Sequence, residues 1–239
     1  QGDTEWFVAP EKLASLDPAA IAGVMISPPQ AFVGRVAERA AGRVVALDAD
    51  FSPVALRFAV EAAGGTVRWQ SDPVTWMKAL KNPVELEGYR DSHREDGAAW
   101  VNFLAWLQRE VPRREAAGDP ITELEAQEKQ REFRLQRASF IEPSFTTISA
   151  AGSNAAMCHY HAFPETNKPL TRSEFYLNDS GGQYVNGTTD ATRTLAFGPL
   201  TAARRLHYTA VLKGFLALIT LPFPNGTCGH QLDAVARRP

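Results

Sequence analysis

Cysteine is nearly absent from this chain. Cys158 and Cys228 are its only two thiols in 239 residues, far apart and with no CxxC spacing. So few thiols exclude a disulfide framework and fit a reducing cytosol. Long apolar runs are missing too. The longest, Phe215 to Phe223, is interrupted by Thr220 and Pro222. It falls short of the roughly 18 apolar residues of a membrane-spanning helix and reads as a buried helix end. Neither sign of charge dominates: 25 Lys and Arg against 27 Asp and Glu give a formal net charge of −2. That balance gives no electrostatic ground for nucleic acid or an anionic membrane as a partner. Arg204-Arg205 and Arg237-Arg238 are the densest basic spots and read as solvated helix faces. No Gly-rich phosphate loop follows any candidate strand, so a nucleotide site has no support. Repeats and low-complexity tracts are lacking. The opening Gln1-Gly2-Asp3-Thr4-Glu5 is polar and acidic, unlike a secretory h-region. The chain begins without Met and stops at Arg237-Arg238-Pro239 while a helical pattern still runs, so both ends read as cut. Three Asn-x-Ser/Thr sequons begin at Asn178, Asn186 and Asn225. They read as accidental, since Asn178 lies in an apolar, strand-like run with no room for a sugar.

What is present is ordinary globular material, 44% hydrophobic and 22% charged, enough for one or two cores. Residues 1 to about 80 alternate short strands and helices. Trp6 to Val8, Val24 to Ile26, Arg43 to Leu47 and Thr66 to Trp69 read as strands. Helices are expected near 29–40 and 53–63. Ser52 would cap the second helix, with Pro53 in its first turn and Gly64-Gly65 as its stop. This alternation predicts an α/β layer with a largely parallel sheet. The pattern changes near residue 82, where a domain boundary is placed, giving domains 1–82 and 83–239. A long helix is expected from Val84 to Val111, with Ala99, Phe103, Trp106, Leu107 and Val111 forming its apolar stripe. A connection over Arg113 to Pro120 follows. Thr122-Glu123-Leu124-Glu125 fits a capping box opening a helix to about Gln136. The chain then turns β-rich, an α+β pattern. Strands are expected at Thr146 to Ser149, Phe175 to Leu177 and Thr188 to Phe197, with a hairpin turn at Asn186-Gly187. Helices over about 201–220 and 228–237 close the chain.

The segment with chemical content runs from Asp179 to Thr194. Asp179 and Asp190 sit on successive strands among Gly and hydroxyl residues. Carboxylate oxygens suit hard divalent cations such as Mn²⁺ or Mg²⁺. Two metals about 3.5–4 Å apart need a bridging carboxylate, so both aspartates must face one cleft. Aspartates that merely shape turns are the competing reading. A tight turn at Asn186-Gly187 would set Asp190 opposite Gln183 and Asp179 opposite Thr194. The carboxylates would then stand roughly 13 Å apart along the ladder. A bulge or sharp bend at Gly181-Gly182 would be required to bring them together.

A wider resemblance supports the metal reading. The matching stretches are KNPVELEGYRDSHREDGAA at 81–99, EPSFTTISAAGSNAAMCHYH at 142–161 and PETN at 164–167. They continue with YLNDSGGQYVNGTTDATRT at 176–194 and VLKGFLALITLPFPNGTCGHQLDAVARRP at 211–239. In these the chain resembles the Xaa-Pro aminopeptidases of the aminopeptidase P family. The resemblance implies the first half of a pita-bread metallopeptidase catalytic domain at 83–239. Residues 1–82 would be part of a metal-free α/β domain of the creatinase N-terminal kind. It further implies Asp179 and Asp190 as ligands of two divalent ions, usually Mn²⁺, and His159 as the group facing the substrate carbonyl or its oxyanion. The substrate would be a peptide with proline in second position, attacked by a metal-activated hydroxide with a later Glu as base. The implied location is the cytoplasm, and a homodimer is among the implied assemblies. The family's remaining His and two Glu ligands have no counterpart before Pro239, so little or no activity is expected of this chain. His161 has no counterpart in the motif and reads as solvated. Cys158 reads as small, buried and inert, on a strand that turns it away from His159. A pita-bread binding module without catalysis, or a metal-free creatinase-like hydrolase, would lack the aspartate pair. A prolidase lies nearer but fits the wording of the motif less well.

Overall fold

The computed structural model describes residues 4–239. The chain divides into two compact units, 1–81 and 82–239. In the first, β1 (Thr4–Phe7) pairs in parallel with β2 (Val24–Ser27). Next come α1 (Phe32–Ala40), β3 (Val44–Leu47), α2 (Val54–Ala62), β4 (Thr66–Trp69) and α3 (Pro73–Ala79). β3 and β4 are also parallel, joined through α2. Parallel strands need such a crossover, and the helix supplies it. Gly64, at φ +76°, ends α2 in a conformation that costs a glycine little. Ser52 does not cap α2 as expected. Its Oγ instead accepts from the Asp48 N–H at 3.0 Å, and Asp48 in turn accepts from the N–H groups of Asp50, Phe51 and Asp72. The carboxylate has taken over the organisation of both loops, and these N–H donors hold the Asp48 carboxyl below its ordinary range.

The second unit opens with α4 (Pro83–Ala116). Asn82 and Glu85 close a capping box at its start, with Pro83 in the first turn. The helix runs past Pro112 to Ala116, beyond the stop expected at Val111. Its buried stripe is Gly88, Ser92, Asp96, Ala99, Trp100, Phe103, Leu107 and Val111, the three- and four-residue spacing of one helix face. α5 (Glu123–Leu135) packs against this stripe, and Thr122 caps it by accepting from Glu125 N–H at 3.3 Å. The reciprocal half of the capping box is replaced: the Glu125 side chain pairs with Arg114.

Beneath these helices lie two small antiparallel sheets. One has the order β10 (Ala191–Ala196), β7 (Phe175–Ser180), β6 (Ile148–Ala151). The other has the order β5 (Phe140–Pro143), β8 (Gly182–Tyr184), β9 (Gly187–Thr188). Trp100, Phe103, Leu107, Ile121, Leu170 and Tyr176 form the main core between helices and sheet. α6 (Ala202–Ile219) and α7 (Gly229–Ala236) follow, with Gly214 tight against the Ala236 backbone. The apolar run expected to be buried at the end of α6 is not. Phe215 and Ile219 are more than half exposed, and Phe223 beyond them is too. No described helix is long and apolar enough to cross a membrane.

Candidate functional site

β7 has two faces of opposite character, as strand alternation requires. Tyr176, Asn178 and Ser180 point inward and are fully buried. They form a chain of hydrogen bonds. Asn178 Nδ2 donates to the Tyr176 hydroxyl at 3.0 Å, Ser180 Oγ to Asn178 Oδ1 at 3.1 Å, and Arg134 Nη2 to Ser180 Oγ at 3.1 Å. Arg134 Nε also donates to Asp96 Oδ1 at 2.7 Å, where the Tyr184 hydroxyl donates as well. Burial raises the Tyr176 hydroxyl to about 12. Burial and the Asp96 charge raise Tyr184 further, so both phenols stay protonated donors. With Asn178 committed to this network, no sugar could be placed on it. The network fixes strand β7 from behind, so that Asp179 must face the other way.

Asp179 meets Asp190 there, but not by the route expected. The ladder pairs Thr192 with Asp179 and Ala191 with Ser180. Across the break, Thr189 N–H donates to Gly182 O at 2.9 Å, and the hairpin closes through Gln183–Thr188 and Tyr184–Gly187. The two-residue turn is therefore Val185-Asn186, one residue earlier than Asn186-Gly187. That shift sets Asp190 opposite Gly181, two positions from Asp179 along the same face. Diagonal neighbours of this kind lie about 7–8 Å apart at Cα, within reach of side chains. No bulge interrupts these two ladders. Gly181 has a different use. The chain passes there from one sheet to the other, and a Cβ would sit 1.9 Å from Thr189 O and 2.3 Å from Ser144 Oγ. Only glycine allows so close an approach.

Asp179 and Asp190 line one pocket of about 480 Å³ together with Phe145, Thr146, Ile148, His159 and His161. Asp179 Oδ1 is buried and has no hydrogen-bond partner. Asp190 lies exposed at the mouth. Its carboxyl is raised above the ordinary range, first by lost hydration against the pocket and then by the charge of, and hydrogen bond to, Asp179. An unpartnered buried carboxylate oxygen beside a second carboxylate is an arrangement that a divalent cation relieves. Among the described residues no group of three or more His, Cys, Asp or Glu is placed to hold a metal ion.

His159 sits in a turn, not on a strand, and has φ +56°. It is the one non-glycine residue at positive φ among the described residues. Such strain collects at functional sites. Cys158 shares the turn and is exposed. Strand alternation does not apply there, so it is not the buried residue expected. His161 is not solvated as expected either: it is half-buried in the pocket wall, and its Nδ1 is enclosed without a partner.

The loop holding both histidines is anchored by Glu123, a fully buried carboxylate that the sequence reading treated only as part of a cap. Glu123 accepts from Ala151 N–H at 2.6 Å, Lys168 N–H at 3.0 Å, Asn154 Nδ2 at 3.0 Å and the Tyr160 hydroxyl at 2.9 Å. Tyr160 is thus drawn inward between His159 and His161. Burial first, then the Glu123 charge, raises its hydroxyl.

Comparison with known proteins agrees with this architecture. The model of metallopeptidase family M24 matches residues 87–239, and the chain belongs to that family. Aminopeptidase P1 of Lotus japonicus is 44% identical over 191 residues, covering 73% of this chain and 29% of the relative. The probable Xaa-Pro aminopeptidase P of Paracoccidioides brasiliensis (strain Pb03) is 45% identical over 166 residues, covering 70% of this chain and 26% of the relative. The chain therefore spans under a third of the length of these curated relatives. The crystal structure of an X-prolyl aminopeptidase from Caenorhabditis elegans, a cytosolic enzyme with a di-nuclear active site, superposes with a TM-score of 0.84. It is 31% identical, and the match covers 98% of this chain and 38% of that one. Within family M24 the chain thus resembles the Xaa-Pro aminopeptidases, and its mixed helix-and-sheet fold is of the pita-bread kind.

Proposed function

We propose that this chain supplies two carboxylate ligands and one substrate-facing histidine to a two-metal site that releases the N-terminal residue of peptides with proline in second position. One observation carries the reading. Asp179, with a buried partnerless oxygen, shares a single pocket with Asp190 and His159. Two ions, Mn²⁺ in this reading, would supply Lewis acidity and a water acidic enough to act near neutral pH. Asp179 and Asp190 would hold them. His159 would donate to the scissile carbonyl oxygen as charge develops on it, an effect of about 3 kcal/mol for one preorganised donor. Phe145 and Ile148 would keep that side of the pocket dry. Residues 83–239 are assigned to the first half of the catalytic domain, and 1–82 to a metal-free domain of the creatinase N-terminal kind. With no third ligand among the described residues, the 239-residue chain alone is expected to bind metal weakly and cleave little. A cytoplasmic location fits two exposed free cysteines, and a homodimer is the assembly assigned by resemblance.

The test is a calorimetric Mn²⁺ titration of the parent chain and of Asp190→Asn. The reading expects weak binding that the substitution abolishes. Unchanged Mn²⁺ affinity in the variant would sink it.

A further inference from the structure

Ser144 stands beside the point where the chain passes from one sheet to the other. β5 ends at Pro143, which pairs with Gly182. Ser144 carries that pairing one residue further, its N–H donating to Gly181 O at 3.1 Å. Its hydroxyl reaches the neighbouring strand and donates to Thr189 O at 2.9 Å. One residue thus holds both sides of the crossing. Gly181 lies two residues after Asp179, and Thr189 directly precedes Asp190.

The ladders leave this place for something else to fasten. The β7–β10 ladder stops at Ser180 with Ala191, and the β8–β9 ladder starts at Gln183 with Thr188. Gly181 and Asp190 belong to neither. Thr189 is tied to Gly182 twice: its N–H donates to Gly182 O, and its hydroxyl accepts from Gly182 N–H, each at 2.9 Å. Its carbonyl is the group that Ser144 takes. Gly181 leaves room for this staple, since a Cβ there would lie 2.3 Å from Ser144 Oγ. A small ion needs its ligands close to ideal positions, whereas Ca²⁺ accepts a flexible set. Resting on the function proposed above, which makes Asp179 and Asp190 metal ligands, we infer that Ser144 is a positioning residue for that pair. Its two hydrogen bonds fix the separation of the strands that bear the aspartates, and so favour a smaller ion over a larger one. It acts through the backbone of Gly181 and Thr189.

The experiment titrates the full chain with Mn²⁺ and with the larger Ca²⁺ in a calorimeter, for the parent, Ser144→Ala and Ser144→Thr. Ser144→Ala should weaken Mn²⁺ binding about three- to tenfold, the worth of one net hydrogen bond. It should change Ca²⁺ binding by less than about twofold, because a loosened pair still suits the larger ion. Ser144→Thr, which keeps the hydroxyl, should recover most of the Mn²⁺ affinity. In the metal-free chain, Ser144→Ala should quicken amide exchange at Thr189 and Gly182 and leave the middle of β7 slow. Unchanged Mn²⁺ affinity in Ser144→Ala would overturn the inference. So would an equal fall for both ions, the mark of a merely structural loss, or exchange that stays at the parent rate. A folded Ser144→Thr that binds Mn²⁺ no better than Ser144→Ala counts against it equally. The underlying reading fails separately: it falls if the parent chain binds no Mn²⁺, or if Asp190→Asn leaves Mn²⁺ binding intact.

Discussion

Replacing Glu123 by Ala removes one buried carboxylate and strands the groups that converge on it. Ala151 N–H and Lys168 N–H lose their acceptor outright. The other two donors keep partners: the Tyr160 hydroxyl retains Thr166 Oγ1, and Asn154 Nδ2 retains the Tyr160 hydroxyl. The cost therefore falls on the two backbone groups. Each orphaned buried N–H costs about 1–3 kcal/mol, and the vacated volume adds to this unless water enters. A total of about 3–5 kcal/mol is expected, a large share of the ~5–15 kcal/mol that holds a typical domain together. Glu123→Gln keeps the shape and one acceptor oxygen but turns an NH₂ toward donors, for about 1–3 kcal/mol. Urea unfolding gives the free energies. Amide exchange then localises the damage, because Glu123 ties down the loop that bears His159 and His161. Exchange should quicken over residues 151–168 and stay slow in β7. A Glu123→Ala protein within about 1 kcal/mol of the parent would refute this reasoning, as would exchange that quickens uniformly across the unit.

Two more outcomes follow from buried and crowded charge. Arg134→Met leaves Asp96 buried with the Tyr184 hydroxyl as its remaining hydrogen-bond partner. A cost of about 3–5 kcal/mol in urea unfolding is expected, as for other broken buried pairs, and Arg134→Met combined with Asp96→Leu should recover most of it. A double variant weaker than the single one would contradict that account. Asp190 has a folded carboxyl raised above its ordinary value, so its charge costs stability in the metal-free chain at neutral pH. That cost vanishes as pH falls through the raised value toward the unfolded one. Asp190→Asn should therefore raise the metal-free Tm at pH 7.5 and have little effect near pH 3.5. A lowered Tm at pH 7.5 would show that the carboxylate is stabilised by something other than a cation.

The first unit was legible because its signals are local. β1 to β4 each contain a run of β-branched or aromatic residues closed by a turn or helix, and Gly64 stops α2 by its own backbone freedom. Ser52 shows where local reading fails. Its hydroxyl could cap the helix or serve Asp48, and the choice depends on loops brought together by parallel pairing of β3 with β4. β5 and β8 escaped notice for a related reason. β8 has three residues, too few for a period to declare itself, and β5 carries a Glu and a Pro in its four. β5 ends in Pro143, tolerable only because the strand lies at a sheet edge.

At the candidate site Asp179, Asp190 and His159 line one pocket, but the turn that brings the aspartates together is not the one the sequence signals. Asn186-Gly187 is a strong turn signal, but the turn that formed leaves Gly187 paired with Tyr184. The reason is packing. A Cβ at Gly187 would lie 2.3 Å from Ser92 Oγ, and one at Gly88 would lie 2.4 Å from Asn186 O. The hairpin tip is pressed onto α4, so contact with the helix decides which two residues form the turn. That one-residue choice places Asp190 beside Asp179 instead of roughly 13 Å away along the ladder. His161 was beyond local reading in the same sense. Nothing near it in sequence marks it. It lines the pocket next to Tyr160, which a carboxylate on another helix, Glu123, holds inward. The site therefore depends on two buried acids, Asp96 behind β7 and Glu123 behind the histidine loop, as much as on the residues that would touch metal or substrate.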